Sequence, residues 1–375
     1  MGTVKKFNNM IDHFEQCTMG QLFEKIKIKQ IKYDDNCAKP SQDQIRETDK
    51  YFLKHYGKKI PLLWHKWYTA VSGTFDKKYF PELLYSPEYE WLVNPSKYTY
   101  CLADKNMLPM LISGIEKLSV PETVVSCANG VYRDADMKQI SSVQAAEIIA
   151  DAGRLFFKPT VDSDSGRGCA VLEMHEGTDQ KSGRTAEKII TGGGRNFIIQ
   201  ICVENPESLS RINPSSVNTF RIISYRSPSG CLKIGPVSMR IGRKDSFLDN
   251  GHAGGVWVGI EPDGHLLDTA YSGYGSRYTE HPDTKFVFRG GVIPEFKLVR
   301  QKAIELHNRI PQLGIINFDF SLDKAGIPVL IEMNTKSGSI WPTQIAHGKA
   351  FFGDDTDAIL EYMRDMRRLY PFNYR

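Results

Sequence analysis

The sequence predicts a mixed α+β fold, and three stretches carry that prediction. Residues 314–338 read as an alternating strand, a turn and a second apolar strand. Residues 155–174 read as two strands joined by a loop rich in glycine and serine. Helical patterns at 298–310 and 356–369 accompany such strands without a regular β-α-β alternation, so the sheets need not be parallel.

The elements follow in chain order. Residues 1–95 are aromatic-rich and mostly helical, broken by turns at Lys39-Pro40, Ile60-Pro61, Phe80-Pro81 and Asn94-Pro95, because a residue before proline is driven out of the α region. No catalytic constellation stands out there, and a cap or a surface for a partner or acceptor is expected. From about 96 the texture changes to short strands, glycine loops and occasional helices. Val143 to Gly153 predicts a helix ending on glycine, and Leu155 to Lys158 a strand after it. Phe197 to Val203 and Phe220 to Tyr225 predict strands, Leu298 to Ile310 a helix, and Thr356 to Leu369 an amphipathic C-terminal helix. The expected organisation is a helical region at 1–95, a main domain at 96–350 with a flexible flap at about 155–195, and a helix at 351–375 packing on that domain.

Within residues 315–321, Ile316, Phe318 and Phe320 fall on one face and Asn317, Asp319 and Ser321 on the other, as in a half-buried strand. Asp323 to Gly326 is the turn, and Val329 to Met333 the returning strand. An even-numbered loop puts Asp319 on the same face as Glu332 and Asn334; an odd one separates them. Two carboxylates and an amide oxygen suit Mg²⁺, which takes hard oxygen ligands and completes its shell with phosphates.

Composition bounds the partners. The net charge of +4 over 375 residues is modest and not gathered in a tail, so nothing demands nucleic acid, and Lys25 to Lys32 reads as a solvated helix face. Seven scattered cysteines without a CxxC pair argue against a zinc site or a disulfide framework and for a reducing, cytoplasmic compartment. No stretch approaches the roughly 18 apolar residues of a membrane span.

Two further segments bear on phosphate chemistry. Phe156-Phe157-Lys158-Pro159 leads into a loop holding Gly166 and Gly168, whose backbone N–H groups can meet phosphate oxygens while Lys158 offers a point charge. No GxxxxGK[ST] sequence occurs, which excludes an ordinary P-loop. The apolar strand 197–203 runs into Glu204 and Glu207, a layout in which a backbone linker can read an adenine edge and a carboxylate can reach ribose hydroxyls.

In this order the segments resemble the ATP-grasp superfamily, and most closely its sugar-transfer-associated branch, found with surface polysaccharide synthesis. The resemblance covers about residues 98–350 and implies two α+β lobes gripping ATP. Ala103-Asp104-Lys105 is similar to the family's first nucleotide-binding lysine segment, and Phe156 to Pro159 to its second. Gln200-Ile201-Cys202-Val203 resembles the adenine hinge, although many relatives carry glutamate where Gln200 stands; the ribose acid is Glu204 or Glu207. Pro214 to Arg221, and Arg240 leading to Asp249 through Gly255, match stretches of the branch. Phe318-Asp319-Phe320 and Ile331 to Asn334 resemble the metal-binding acids and amide.

The resemblance implies an ATP- and Mg²⁺-dependent ligase joining a sugar carboxylate, such as a uronic acid, to an amine or amino acid in capsule or surface polysaccharide assembly. Lys105 and Lys158 would hold α- and β-phosphates, and Asp319, Glu332 and Asn334 the metal. Arg221 and Arg240 would grip the γ-phosphate or the carboxylate. Asn250 and His252 would lie near the transferring phosphate, His252 as a base or a structural hydrogen-bonder, and Lys336 would touch phosphate or acceptor. Trp341 and His347 are candidate acceptor neighbours outside that set. Polysaccharide assembly enzymes are possible partners. A kinase acting on a sugar or polyol hydroxyl, and a non-catalytic nucleotide-binding scaffold, stay open as alternatives.

Overall fold

A computed structural model describes residues 14–33, 37–161, 166–243 and 254–369. Its strands form two sheets, and every pairing between them is antiparallel. The smaller sheet runs in the order β3-β2-β1-β7-β4-β5-β6. These are β1 (Thr123–Ala128), β2 (Val131–Arg133), β3 (Gln139–Ile140), β4 (Gly153–Pro159), β5 (Ala170–His175), β6 (Thr178–Asp179) and β7 (Phe197–Ile201). The larger sheet joins β8 (Thr219–Arg226), β9 (Leu232–Ile234), β10 (Val237–Ile241), β11 (Val256–Ile260), β12 (Leu266–Ser272), β13 (Ser276–Tyr278), β14 (Ile315–Leu322) and β15 (Pro328–Asn334). Its order is β13-β12-β11-β10-β8-β14-β15, with β9 on β8. The predicted helices form as Ser142–Ile149, Phe296–Asn308 and Thr356–Leu369, but the first stops at Ile149 with Ala150 as its cap, and Gly153, expected as its end, is the first residue of β4. Ser141 and Gln144 close a capping box on the first of these, which accounts for its start.

Three cores hold the sheets in place. One joins the smaller sheet to the helices Ser142–Ile149 and Ala186–Gly192. A second packs Phe220, Ile222, Ile316, Phe318 and Phe320 against Phe296, Val299 and Leu306 of the helix Phe296–Asn308. Each such side chain contributes about 1.5–3 kcal/mol on full burial. The third brings Phe52, Trp64, Trp67 and Tyr68 of the N-terminal helices onto Ile223 and Tyr225 of β8 and onto Phe351, Phe352 and Leu360 near the C-terminus. Because side chains alternate along a strand, β8 gives Phe220 and Ile222 to one core and leaves Arg221 on the opposite face.

The hairpin corrects one expectation. Leu322 pairs with Pro328, so five residues connect the strands, an odd number that alone would part Asp319 from Glu332. The ladder shifts between Asp319 and Phe320: Phe320 pairs with Leu330 but Asp319 with Glu332, leaving Ile331 as the extra residue of a β-bulge. The bulge restores the common face by inserting a residue in the strand instead of the turn.

Among the described residues, no helix is long and apolar enough to cross a membrane. Cys37, Cys101, Cys127, Cys169, Cys202 and Cys231 are free thiols among the described residues.

Candidate functional site

Both sheets contribute walls to a cleft of about 920 Å³. On the smaller sheet, Phe156 pairs with Gln200 and Val171, which puts these three and Lys158 on the cleft face of β4, β5 and β7. Lys105 begins a short helix whose cap is the Asp104 side chain, and its backbone N–H donates to Thr160 O at 3.1 Å, tying it to the end of β4. On the larger sheet the register runs Glu332, Asp319, Arg221, Ser238 across β15, β14, β8 and β10, with Arg240 two residues further along β10.

The two walls meet through charge. Lys105 Nζ lies 2.8 Å from Glu332 Oε1, and Lys158 Nζ donates to the carbonyl of the bulged Ile331 at 3.3 Å. Burial of Lys158, reinforced by the charge of Lys105, lowers its pKa to about 8. Asp319 accepts a two-pronged contact from Arg221, Nε to Oδ1 at 2.6 Å and Nη2 to Oδ2 at 2.9 Å, while Arg240 Nη1 stands 3.5 Å from Oδ1. Burial pulls the Asp319 carboxyl upward, but the two guanidiniums outweigh it and hold it below its ordinary value. Asn334 Nδ2 completes the group at 3.4 Å from Asp319 Oδ2.

Among the described residues, seven basic side chains line the cleft against three acidic ones, an excess suited to a polyanion. No group of three or more His, Cys, Asp or Glu that could hold a metal occurs among them. The carboxylates of Asp319 and Glu332 with the amide of Asn334 nevertheless fit an ion that takes phosphate oxygens as its other ligands. Asp319 Oδ2 already accepts from Arg221 and Asn334, so such an ion would meet Asp319 through Oδ1, which keeps a lone pair beside the Arg221 Nε–H bond.

Lys105, Lys158, Gly166, Gln200, Cys202, Val203, Glu204, Arg221, Arg240, Asp319, Glu332, Asn334 and Lys336 all line the cleft. Gly168 and Glu207 are not among its lining residues. Gly168 turns the loop at φ +75°, where a Cβ would also sit 3.0 Å from Pro159, and Glu207 is exposed at the start of the short helix Glu207–Ser210. Of the two candidate ribose acids, Glu204 therefore faces the cleft. Gln200 donates Nε2 to Pro121 O at 2.9 Å, whereas its buried Oε1 has no partner among the described residues. Lys336 Nζ sits 3.7 Å from the centre of the Tyr100 ring. Trp341 lines the cleft, while His347 turns away, its Nε2 at 2.8 Å from Val237 O. Asn250 and His252 lie outside the described residues.

Sequence reasoning missed the supports behind this surface. Glu90 is buried, its Oε1 accepting from Gly338 N at 3.1 Å and its Oε2 from Ser86 Oγ at 3.0 Å. Burial raises its pKa to about 7. Glu82 accepts the backbone N–H groups of Ile340 and Trp341 at 2.9 and 2.8 Å. Asn205, in the loop after β7, is tied to the larger sheet, donating to Ser321 Oγ at 2.8 Å and accepting from Asn218 N at 3.0 Å. The signal available for Glu90 was an acid set inside the aromatic and apolar run Leu83 to Val93. Lys27, read as part of a solvated face, lines the cleft, and nothing in its helix pattern singles it out.

The sequence model of the family described as sugar-transfer associated ATP-grasp matches residues 84–358. No curated protein matches the chain. Similar solved structures include L-amino acid ligase from Bacillus licheniformis, at 13% identity and TM-score 0.37 over 69% of this chain and 48% of that one. VanG D-Ala:D-Ser ligase from Enterococcus faecalis gives 15% identity and TM-score 0.41 over 71% and 61%. D-alanyl-alanine synthetase A from Vibrio cholerae gives 14% identity and TM-score 0.41 over 70% and 66%. The chain spans about half to two thirds of the length of these structures.

Proposed function

Since the chain belongs to the sugar-transfer associated ATP-grasp family, we propose that it is an ATP-dependent ligase that activates a sugar carboxylate and joins it to an amine or amino acid in polysaccharide assembly. The observation that carries this reading is the convergence on one cleft of phosphate-type cations, Lys105 and Lys158, with the facing pair Asp319 and Glu332.

In this reading a carboxylate oxygen attacks the γ-phosphorus of ATP, the bond to the β,γ-bridging oxygen breaks, and ADP leaves. The amine nitrogen then attacks the acyl carbon, phosphate departs with the C–O bonding pair, and the nitrogen loses a proton. Neither step needs a protein nucleophile, so the side chains position groups and balance charge. Lys105 and Lys158 neutralise the α- and β-phosphates from the smaller sheet. Arg221, held by Asp319, and Arg240 beside it present fixed positive charge where the carboxylate and γ-phosphate meet. Gln200 Oε1 accepts the adenine amino group, and Glu204 reaches the ribose. Asp319, Glu332 and Asn334 would hold Mg²⁺, which when bound neutralises phosphate charge.

The test incubates the full chain with ATP, Mg²⁺ and a uronic acid in the presence of hydroxylamine. ADP together with a hydroxamate is expected, because only an acyl phosphate gives that product. ADP with a phosphorylated hydroxyl and no hydroxamate would replace this reading with a kinase; no ADP with any acceptor would leave a nucleotide-binding scaffold.

A further inference from the structure

Beyond the phosphate end, the same cleft is walled by aromatic rings. Trp257 on β11 stands directly opposite Arg240 on β10 and Tyr271 on β12, so it shares Arg240's face of the sheet. Trp341 meets Trp257 edge-on, centroids 5.3 Å apart at 89°, and lies 5.9 Å from Tyr274 at 35°. The wall is buttressed: Trp67 packs on Trp341 at 4.9 Å and donates Nε1 to Tyr274 O at 2.9 Å. Trp257 is only 6% exposed, yet its Nε1 has no hydrogen-bond partner among the described residues. A buried indole N–H normally finds an acceptor.

The occupant must offer an apolar face to the rings, an acceptor to Trp257 and negative charge to Arg240 and Lys27, which also line this end. A purely apolar group leaves the N–H unpaired, and a cationic amine, the usual guest of aromatic cages, meets two positive side chains. A pyranose ring bearing a carboxylate has a C–H face, hydroxyl acceptors and the anion together. We infer that Trp257, Trp341 and Tyr274 form the subsite for a hexuronate ring, its carboxylate turned toward Arg240. The choice of an acidic sugar rests on the ligase reading; the wall itself does not.

Saturation-transfer NMR on the full chain with methyl glucuronoside, methyl glucoside and choline tests it. Transfer to the ring C–H protons of the glucuronoside is expected, with the glucoside weaker and choline absent. Trp257→Phe keeps the stacking surface and removes the donor, so glucuronoside affinity should fall about tenfold. Calorimetric binding of MgADP by the same variant reports that it is folded. Tyr274→Ala, at a position 39% exposed, should also weaken the glucuronoside. Unchanged affinity in both variants, a preference for choline, or no binding of the glucuronoside by a chain that binds MgADP would overturn the assignment. Trp257-dependent binding without any hydroxamate would refute the ligase reading alone; hydroxamate from a non-sugar acid with no glucuronoside binding would refute the subsite alone.

Discussion

Glu90→Gln isolates the electrostatic cost of the loop that follows β15. The Glu90 carboxyl is buried and accepts from Gly338, which lines the cleft. Its pKa rises from an ordinary 4.5 to about 7, burial being the largest cause. Because the folded value lies above the unfolded one, the stability linked to this group is fully present below pH 4.5 and is lost as pH climbs through 7. At 1.36 kcal/mol per pH unit the interval amounts to about 3 kcal/mol. Glutamine keeps an oxygen for the Gly338 N–H and cannot ionise. Urea denaturation across the range should therefore give native and variant chains of similar stability near pH 4.5 and a variant more stable by about 3 kcal/mol above pH 8. Taking the difference between the two chains removes the contribution of other titrating groups, Glu82 included. Curves that stay parallel over the whole range would refute the reasoning.

Three other outcomes are expected. Lys158, at about 8 in the free protein, should take up a proton when a polyanionic nucleotide binds above that pH, so MgADP affinity falls as pH rises through 8. Calorimetry in buffers of different ionisation enthalpy measures this uptake, and Lys158→Met should abolish it. Asp319→Asn leaves the Arg221 fork without its carboxylate and should cost about 3–5 kcal/mol together with most ADP release, read by denaturant midpoint and turnover. Native stability in that variant would show that the pair is not a structural tie. In Gly338→Ala the new Cβ would lie 2.5 Å from Asn317 Nδ2 and 2.8 Å from its Cγ. The clash should lower stability by about 1–3 kcal/mol, seen as a lower melting temperature.

The hairpin's acids were legible because alternation over Ile315 to Ser321 is a local signal that burial of Ile316, Phe318 and Phe320 enforces. Their shared face was not, since a bulge at Ile331 leaves no mark in residue type and loop length alone points the other way. The pairing of Arg221 with Asp319 joins residues 98 apart in sequence, a distance that no local pattern spans. The segments around Lys105, Lys158, Gln200 and Asp319, which line one cleft, were readable because each is contiguous. Glu82, Glu90, Trp257 and Tyr274 act through tertiary contacts, and their residue types alone read as ordinary core or surface; of the aromatic wall, the sequence pointed to Trp341.

The Ile331 bulge also has a mechanical meaning. Backbone freed from regular pairing gives the ammonium of Lys158 a carbonyl to hold at 3.3 Å, so the irregularity that aligns the acids also latches one lobe to the other. Deleting Ile331 would leave Glu332 opposite Asp319 in a regular ladder but take away the carbonyl that Lys158 holds, cutting the latch while the acids stay aligned. Removing one residue from the turn alone would leave the latch unbroken.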